Sequence, residues 1–256
     1  MSFTLSAVLM LSPVGLATET DGPAVPDGAA TVPATGNDLP TTAREEAPGL
    51  VAADVAARHI VEATGDLYAL SRLAFTFIVE SGDTEKVRRS HVRDWEAGTA
   101  TVEVNGDRVA LHNLHTRDPS EGVADPAAHA EMWTAVAPGV PPATAARAWS
   151  TWVNDSYWLL ASAKLMDAGV LRSMDEQGRL LLRFDGVGLT PADRYALTFD
   201  AEQHRITAWE FTLQSGRKGR FTWTDYQTVG PLTLSMVRAN EAADFVVRFE
   251  AVEPTP

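Results

Sequence analysis

Apolar and polar residues alternate in short runs through most of the chain, and this period of two is typical of β-strands. Six such runs follow one another in the last third, with turn residues between them. They are Arg179–Phe184, Arg194–Phe199, Arg205–Leu213, Gly219–Thr224, Leu232–Arg238 and Phe245–Val252. Short strands at hairpin spacing predict one large antiparallel sheet. Leu180 and Leu182 alternate with Arg179 and Arg183, which predicts one covered face and one face in water.

Four earlier runs extend the same sheet. Leu73–Val79 is β-branched and aromatic, and Lys86–Trp95 returns after a turn. Thr101–Val104 and Arg108–Leu111 flank Asn105-Gly106, the dipeptide that a two-residue hairpin turn prefers. In the run Lys86–Trp95, Arg89, His91 and Arg93 share one face, which we interpret as a stripe in contact with water.

Three segments show the period of a helix instead. Leu50–Ala63 has apolar residues at helical spacing, and Gly65 ends it. Asp125-Pro126 is a cap and first-turn pair that opens a helix to about Val136. Ala143–Val153 is the third helix, after which Asn154-Asp155 is interpreted as a turn and Tyr157–Leu160 as a strand. The helices are the natural cover for the apolar face of the sheet.

The N-terminal residues differ in composition from the rest. Residues 1–17 contain an apolar stretch closed by Gly15 and Ala17, which is typical of a secretory signal but lacks its positive charge. Residues 18–49 are rich in Thr, Pro and Ala and predict a disordered linker. Residues 50–253 then form a single β-domain. We therefore expect a periplasmic or secreted protein of the bacterial envelope.

Charge and cysteine content exclude several classes of protein. The net charge is −13 and basic residues are scattered, so a nucleic-acid partner is not expected. The absence of cysteine excludes disulfides, thiolate nucleophiles and iron–sulfur clusters. The sequence has no HExxH, Walker or Gly-x-Ser-x-Gly motif. We predict no cofactor, no metal site and no enzymatic activity. No segment after residue 20 predicts a transmembrane span, so the protein is not expected to be an integral membrane protein.

An aromatic run is the most unusual feature. Trp149, Trp152, Tyr157 and Trp158 lie within ten positions of a chain that has seven Trp in total. Such residues either fill a core or line a pocket for an apolar ligand. Lys164 follows closely and could hold a polar head group, or it could be a solvated surface residue.

Three motifs resemble a known family. They are Trp152-Val-Asn-Asp-Ser-Tyr-Trp-Leu-Leu160, Lys164-Leu165 with Asp167 and Gly169, and Phe184-Asp-Gly-Val-Gly-Leu-Thr-Pro191. Together they resemble an uncharacterised envelope family related to the lipoprotein carriers LolA and LolB. Ser162-Ala163 and Ala192 depart from that family's pattern, and the N-terminus has no lipidated cysteine.

The resemblance implies an α+β fold in which a large curved antiparallel sheet, an unclosed barrel, is capped by helices on its concave side. It also implies a cavity for a hydrophobic ligand, such as an acyl chain or lipoprotein. The predicted ligand-binding residues are Phe75, Phe77, Trp95, Trp149, Trp152, Tyr157, Trp158 and Lys164.

An enzyme is the least expected possibility, because no nucleophile–base or metal constellation appears; a deep pocket in which Asp155 is hydrogen-bonded to a His would favour it. Two non-catalytic functions are therefore open. The first is a monomeric, non-catalytic carrier or binding protein for a hydrophobic ligand. The alternative is an envelope interaction or assembly factor whose core is filled and whose sheet recruits a protein partner. An open apolar space between the third helix and the sheet would favour the carrier, and a close-packed one would favour the interaction factor.

Overall fold

The computed structural model describes residues 48–116 and 118–256. The predicted signal segment and nearly all of the predicted linker lie outside the described residues. The described chain contains eleven strands and three α-helices. None of these helices is long and apolar enough to cross a membrane.

The strands form one antiparallel sheet. In chain order they are β1 Arg72–Ser81, β2 Thr84–Asp94, β3 Thr99–Val104, β4 Asp107–Leu111, β5 Val170–Met174, β6 Leu180–Phe184, β7 Arg194–Asp200, β8 Arg205–Thr212, β9 Lys218–Val229, β10 Leu232–Asn240 and β11 Phe245–Thr255. Their order across the sheet is β4-β3-β2-β1-β11-β10-β9-β8-β7-β6-β5. Over the described residues the sheet is unclosed, because β4 and β5 are its two edges. The predicted fold class is confirmed.

Consecutive strands pair with each other, except β4 and β5, and in addition the first strand pairs with the last. β1 pairs with β11 from Arg72 opposite Thr255 to Ser81 opposite Phe245. This pairing joins two meanders, β1–β4 and β5–β11, into one sheet. The connection from edge β4 to edge β5 must therefore cross a face of the sheet, and it carries two of the helices.

The helices are α1 Pro48–Thr64, α2 Ala130–Val136 and α3 Pro142–Leu160. The 19 residues of α3 give a length of about 28 Å. That helix contacts β4 at one edge, and its Tyr157 ring lies 6.3 Å from that of Phe184 on β6. In a flat sheet these strands would be about 43 Å apart. The sheet therefore curves around α3, which lies on its concave side.

The first helix is where it was predicted, but its buried face is different. The buried residues are Ala53, Ala57, Ile60 and Thr64, whereas Leu50, Val51 and Val55 are exposed. Small residues at i and i+4 allow α1 to approach β5 closely. The apolar period indicated the helix correctly, but its largest side chains do not mark the packed face.

Two sequence-based predictions of local structure are wrong, and one strand was not predicted. Tyr157–Leu160 is not a strand, because α3 continues through Asn154-Asp155 to Leu160. Strand β5 was not predicted at all. The second helix begins at Ala130 rather than Asp125, although the Asp125 carboxylate does accept a hydrogen bond from the Ala128 amide. In that case the capping interaction exists, but it closes a turn and not a helix.

Gly65 ends α1 in a conformation and position that a side chain cannot share. Its φ is +102°, and an added Cβ would lie 2.1 Å from the Pro231 carbonyl oxygen. We expect Gly65→Ala to lower the free energy of unfolding by about 2–4 kcal/mol, from backbone strain plus overpacking. Gly178→Ala is the matched control, because Gly178 also has a positive φ but open space around it. Its cost is expected to be about 1 kcal/mol. Urea unfolding of both variants measures the difference, and equal costs would contradict the proposed clash.

Candidate functional site

Aromatic side chains from α3 and from five strands form a buried layer between the helix and the sheet. On one side Trp158 of α3 lies 4.8 Å from Trp209, which lies 5.1 Å from Trp223 (ring centroids). On the other side Trp152 of α3 lies 5.9 Å from Phe75, which lies 6.1 Å from Phe249. We call this layer the aromatic row; its members are Trp152, Trp158, Trp209, Trp223, Phe75, Phe77, Phe249, Tyr157, Tyr195 and Phe221.

The row is buried yet leaves polar atoms without partners. The indole Nε1–H groups of four tryptophans have no hydrogen-bond acceptor within the described part of the chain. They belong to Trp152, Trp158, Trp209 and Trp223. By contrast, the two buried indoles outside the row are paired: Trp133 donates to the Gly122 carbonyl and Trp149 to the Ser120 hydroxyl. Buried donors are normally paired, so this local concentration requires an explanation.

A carboxylate from α3 is bound by two side chains of β2. Asp155 is fully buried, and its oxygens accept hydrogen bonds from Arg89 at 2.7 and 2.8 Å. His91 Nε2 lies 2.8 Å from Asp155 Oδ2, and the neighbouring Asn154 amide donates to Oδ1. We call Asp155, Arg89 and His91 the Asp155 cluster. It joins the middle of the covering helix to the concave face of the sheet.

The sequence-based interpretation of Arg89, His91 and Arg93 is half right. The three residues do share a face of β2, but that face is turned to α3 and not to water. His91 is 1% and Arg93 2% exposed. Arg93 donates to the Thr99 carbonyl, and its Nε has no partner among the described residues. Charged residues at alternate positions are usually solvated, and here a buried carboxylate 64 residues away reverses that expectation.

A His–Asp pair is also a component of acid–base sites, but this one is covered. The Phe75 ring centroid lies 4.9 Å from that of His91, and Trp152 lies 6.1 Å away on another side. Arg89 already forms two hydrogen bonds with the carboxylate. The geometry of this pair therefore suits a structural link between α3 and β2.

Five of the eight predicted ligand-binding residues lie in the aromatic row. They are Phe75, Phe77, Trp152, Tyr157 and Trp158. The other three lie elsewhere: Trp149 packs against the 3₁₀ turn Pro119–Gly122, and Trp95 follows β2 near Arg93. Lys164 lies in the turn after α3. The sequence-based list thus shares with the row the aromatic residues of α3 and β1, although α3 was predicted to end before two of them. Their role in ligand binding stays a prediction.

Lys164 is buried and ion-paired, with 5% of its side chain exposed. Its ammonium group contacts Asp167, which also accepts a hydrogen bond from the Tyr68 hydroxyl. A cleft with a cavity volume of about 10 Å³ adjoins these residues and Tyr157. That volume holds about one water molecule. Burial raises the pKa of the Tyr157 hydroxyl beside this cleft, so it stays a neutral donor. Because Asp167 contacts its ammonium group, Lys164 already has a carboxylate partner.

Several residues of the aromatic row and of the Asp155 cluster were not predicted as site residues. Asp155 lies three residues from both Trp152 and Trp158, so a longer helix would have placed it on the aromatic face. Trp209 and Trp223 were visible as apolar members of predicted strands, but strand pairing alone does not indicate which of them meet. Arg238, at the end of a predicted strand, gave no signal of its burial.

No family model matches the sequence, and no curated protein matches it. Similar solved structures include a LolA superfamily protein from Nitrosomonas europaea, with 10% identity, a TM-score of 0.41, and coverage of 78% of this chain and 92% of that one. A DUF1329 family protein from Desulfovibrio piger shares 7% identity and covers 80% and 93%, with a TM-score of 0.40.

A third similar structure is a domain described as outer membrane lipoprotein-sorting, from Vibrio parahaemolyticus. It shares 11% identity and covers 81% of this chain and 90% of that chain, with a TM-score of 0.35. The resemblance to LolA-like proteins that the sequence suggested thus recurs among solved structures. At these scores the fold assignment rests on the strand order and register of this chain itself.

Proposed function

We propose that this protein is a non-catalytic binding or carrier protein of the bacterial envelope. Its ligand is an acyl chain or a similar hydrophobic group, held between α3 and the concave face of the sheet. The residues that would contact the ligand are those of the aromatic row. Such a role would fit a protein that resembles the LolA-like carriers.

The observation that carries this proposal is the set of unpaired indoles in the aromatic row. A buried donor without an acceptor costs about 1–3 kcal/mol, and four of them are present here. The total is comparable with the whole stability of a typical domain, about 5–15 kcal/mol. A layer shaped only for stability would not carry this cost. A layer that opens for a ligand would, because its polar atoms find water or ligand acceptors in the open form.

Ligand entry would require α3 to move, because the layer is packed in the closed form. The cleft beside Tyr157 is too small for an acyl chain. The Asp155 cluster is the polar attachment that such a movement would break. One face of α3 then remains apolar, and the sheet beneath it offers an aromatic surface.

Lipid extraction followed by native mass spectrometry, together with displacement of a fluorescent fatty acid, tests the proposal. We expect about one bound fatty acid per chain, and Trp152→Ala is expected to weaken binding at least about tenfold, because it removes a large buried contact. Trp95→Ala is the control, since Trp95 is partly buried outside the row, and it should bind normally. Binding is compared where circular dichroism shows both variants folded. Absence of copurifying lipid together with absence of fatty-acid binding would contradict the proposal.

The second candidate is the interaction or assembly factor with a filled core. The close packing of the aromatic layer favours it, and the edge strand β5 exposes 52% of Leu171. A free strand edge can pair with another chain. On this hypothesis Trp152→Ala destabilises the fold, and no fatty acid binds to either the variant or the parent protein.

A further inference from the structure

Arg238 is a fully buried cation in the middle of the aromatic row. It lies on β10, opposite Trp223 of β9 in the sheet register, and its side chain has 0% exposure. Its guanidinium carbon lies 3.9 Å from the ring centroid of Trp223 and 5.2 Å from that of Phe249. Arg238, on β10, therefore lies between the row's residues on β9 and its residue on β11.

The hydrogen bonds of Arg238 are incomplete. Its Nη1 donates to the carbonyl oxygen of Ser235 and, at 3.1 Å, to the hydroxyl of the same residue. Its Nε and Nη2 have no acceptor in residues 48–116 and 118–256. No carboxylate of the described residues forms an ion pair with it, and burial lowers the pKa of the guanidinium to about 9. Arg89 differs in this respect, because a carboxylate satisfies it.

Cation–π contacts offset part of the cost of burying this charge, but they leave its in-plane donors unused. Nε–H and the adjacent Nη2–H point the same way and form the side of a guanidinium that binds two oxygens of one carboxylate or phosphate. The face of the Trp223 ring, whose Nε1–H is also unpaired, lies against the same guanidinium. Donors that can hold an oxyanion are thus gathered in an apolar layer with no anion beside them.

We propose that Arg238 is the anion-recognition residue of the ligand site. It would bind the single anionic head group, carboxylate or phosphate, of an amphipathic ligand whose apolar chain lies along the aromatic row. This inference rests on the proposed ligand-binding function and specifies its ligand class. It also moves the head-group site from Lys164, whose charge Asp167 already neutralises, to the centre of the sheet.

Displacement of a fluorescent fatty acid by four probes tests this inference: dodecanoate, dodecyl phosphate, dodecanol and inorganic phosphate. We expect dodecanoate or dodecyl phosphate to bind at least about tenfold more tightly than dodecanol, because a charge-assisted bidentate pair forms only with the anions. Whichever anion binds more tightly identifies the head group. Inorganic phosphate is expected to bind far more weakly than either, since it lacks the apolar chain.

Arg238→Met should abolish the preference for the anions and leave dodecanol binding within about threefold. Arg238→Lys keeps the charge but not the planar pair of donors, and it should retain part of the preference. Arg93→Met is the matched control, because Arg93 is a second buried arginine without a carboxylate partner, at the far side of the row. It should keep the full preference. If Arg238→Met does not fold, Arg238→Lys and the selectivity of the unaltered protein decide the question.

Three results would overturn the inference. Equal affinity for dodecanoate, dodecyl phosphate and dodecanol would reject anion recognition and leave the proposed function standing. Inorganic phosphate binding as tightly as dodecyl phosphate would reject the amphipathic ligand class. Failure of every probe to bind would reject both this inference and the proposed function.

Discussion

Replacing Asp155 with alanine is expected to lower the free energy of unfolding by about 3–5 kcal/mol, the range found when one partner of a buried ion pair is removed. The carboxylate is fully buried and accepts hydrogen bonds from Arg89, His91 and Asn154. Its loss leaves the buried imidazole of His91 without an acceptor and the partly buried guanidinium of Arg89 without its carboxylate. Urea unfolding followed by far-UV circular dichroism measures the change.

Asp54→Ala is the matched control for this prediction. Asp54 also binds an arginine, Arg172 at 2.6 Å, but 42% of its side chain is exposed. Water screens the pair, so its loss should cost less than about 1 kcal/mol. An Asp155→Ala cost as small as that of the control would refute the assignment of Asp155 as the residue that holds α3 on β2.

The Asp155 cluster also predicts an energetic coupling between helix and strand. In a double-mutant cycle with Arg89→Ala, the two substitutions should cost less together than the sum of their separate costs, by about 1–3 kcal/mol. The reason is that the first substitution already breaks the contact. Additive costs would mean that Arg89 and Asp155 stabilise the fold independently of each other.

Replacing Trp158 with alanine is the second large change, with an expected cost of about 3–5 kcal/mol. Trp158 has 0% exposure, and its ring lies 4.8 Å from Trp209 and 4.9 Å from Phe221. Removal of the indole leaves a cavity that the strands below cannot close, since each is held by hydrogen bonds on both sides. Thermal and urea unfolding give the cost.

Trp158→Phe separates packing from the unpaired indole. The phenyl ring keeps much of the contact with Trp209 and also removes a buried donor that has no acceptor. We expect a cost of about 1–2 kcal/mol, because the volume lost is partly offset by the removal of that unpaired group. A phenylalanine variant as unstable as the alanine variant would show that the indole group itself contributes a stabilising interaction.

The regular elements with clear periodicity were predictable because their own residues carry the signal. Ten of the strands were anticipated from alternation, and the hairpin at Asn105-Gly106 has both residues at positive φ as such a turn requires. Strand β5 was missed because apolar and polar residues do not alternate in Val170–Met174, where Leu171 follows Val170 directly. Its Arg172 forms an ion pair with Asp54 of α1, and the neighbouring residues in the sequence do not indicate that contact.

The end of α3 shows where local preference fails. Asn and Asp favour caps and turns because their side chains compete for backbone hydrogen bonds. At Asn154-Asp155 this preference predicted a break. In the fold Arg89 and His91 bind the Asp155 carboxylate instead, and the helix continues through the next turn to Leu160.

The sequence by itself determined an antiparallel sheet with one covered face, three helices to cover it, and an aromatic run at the centre of the cover, because these follow from the spacing of apolar residues within short segments. Tertiary structure alone decided which residues meet. Arg89 and His91 are buried because Asp155 faces them, and Arg238 is buried because Trp223 and Phe249 enclose it. Whether a charged side chain is buried or solvated depends on partners that are distant in sequence, and local periodicity carries no information about them.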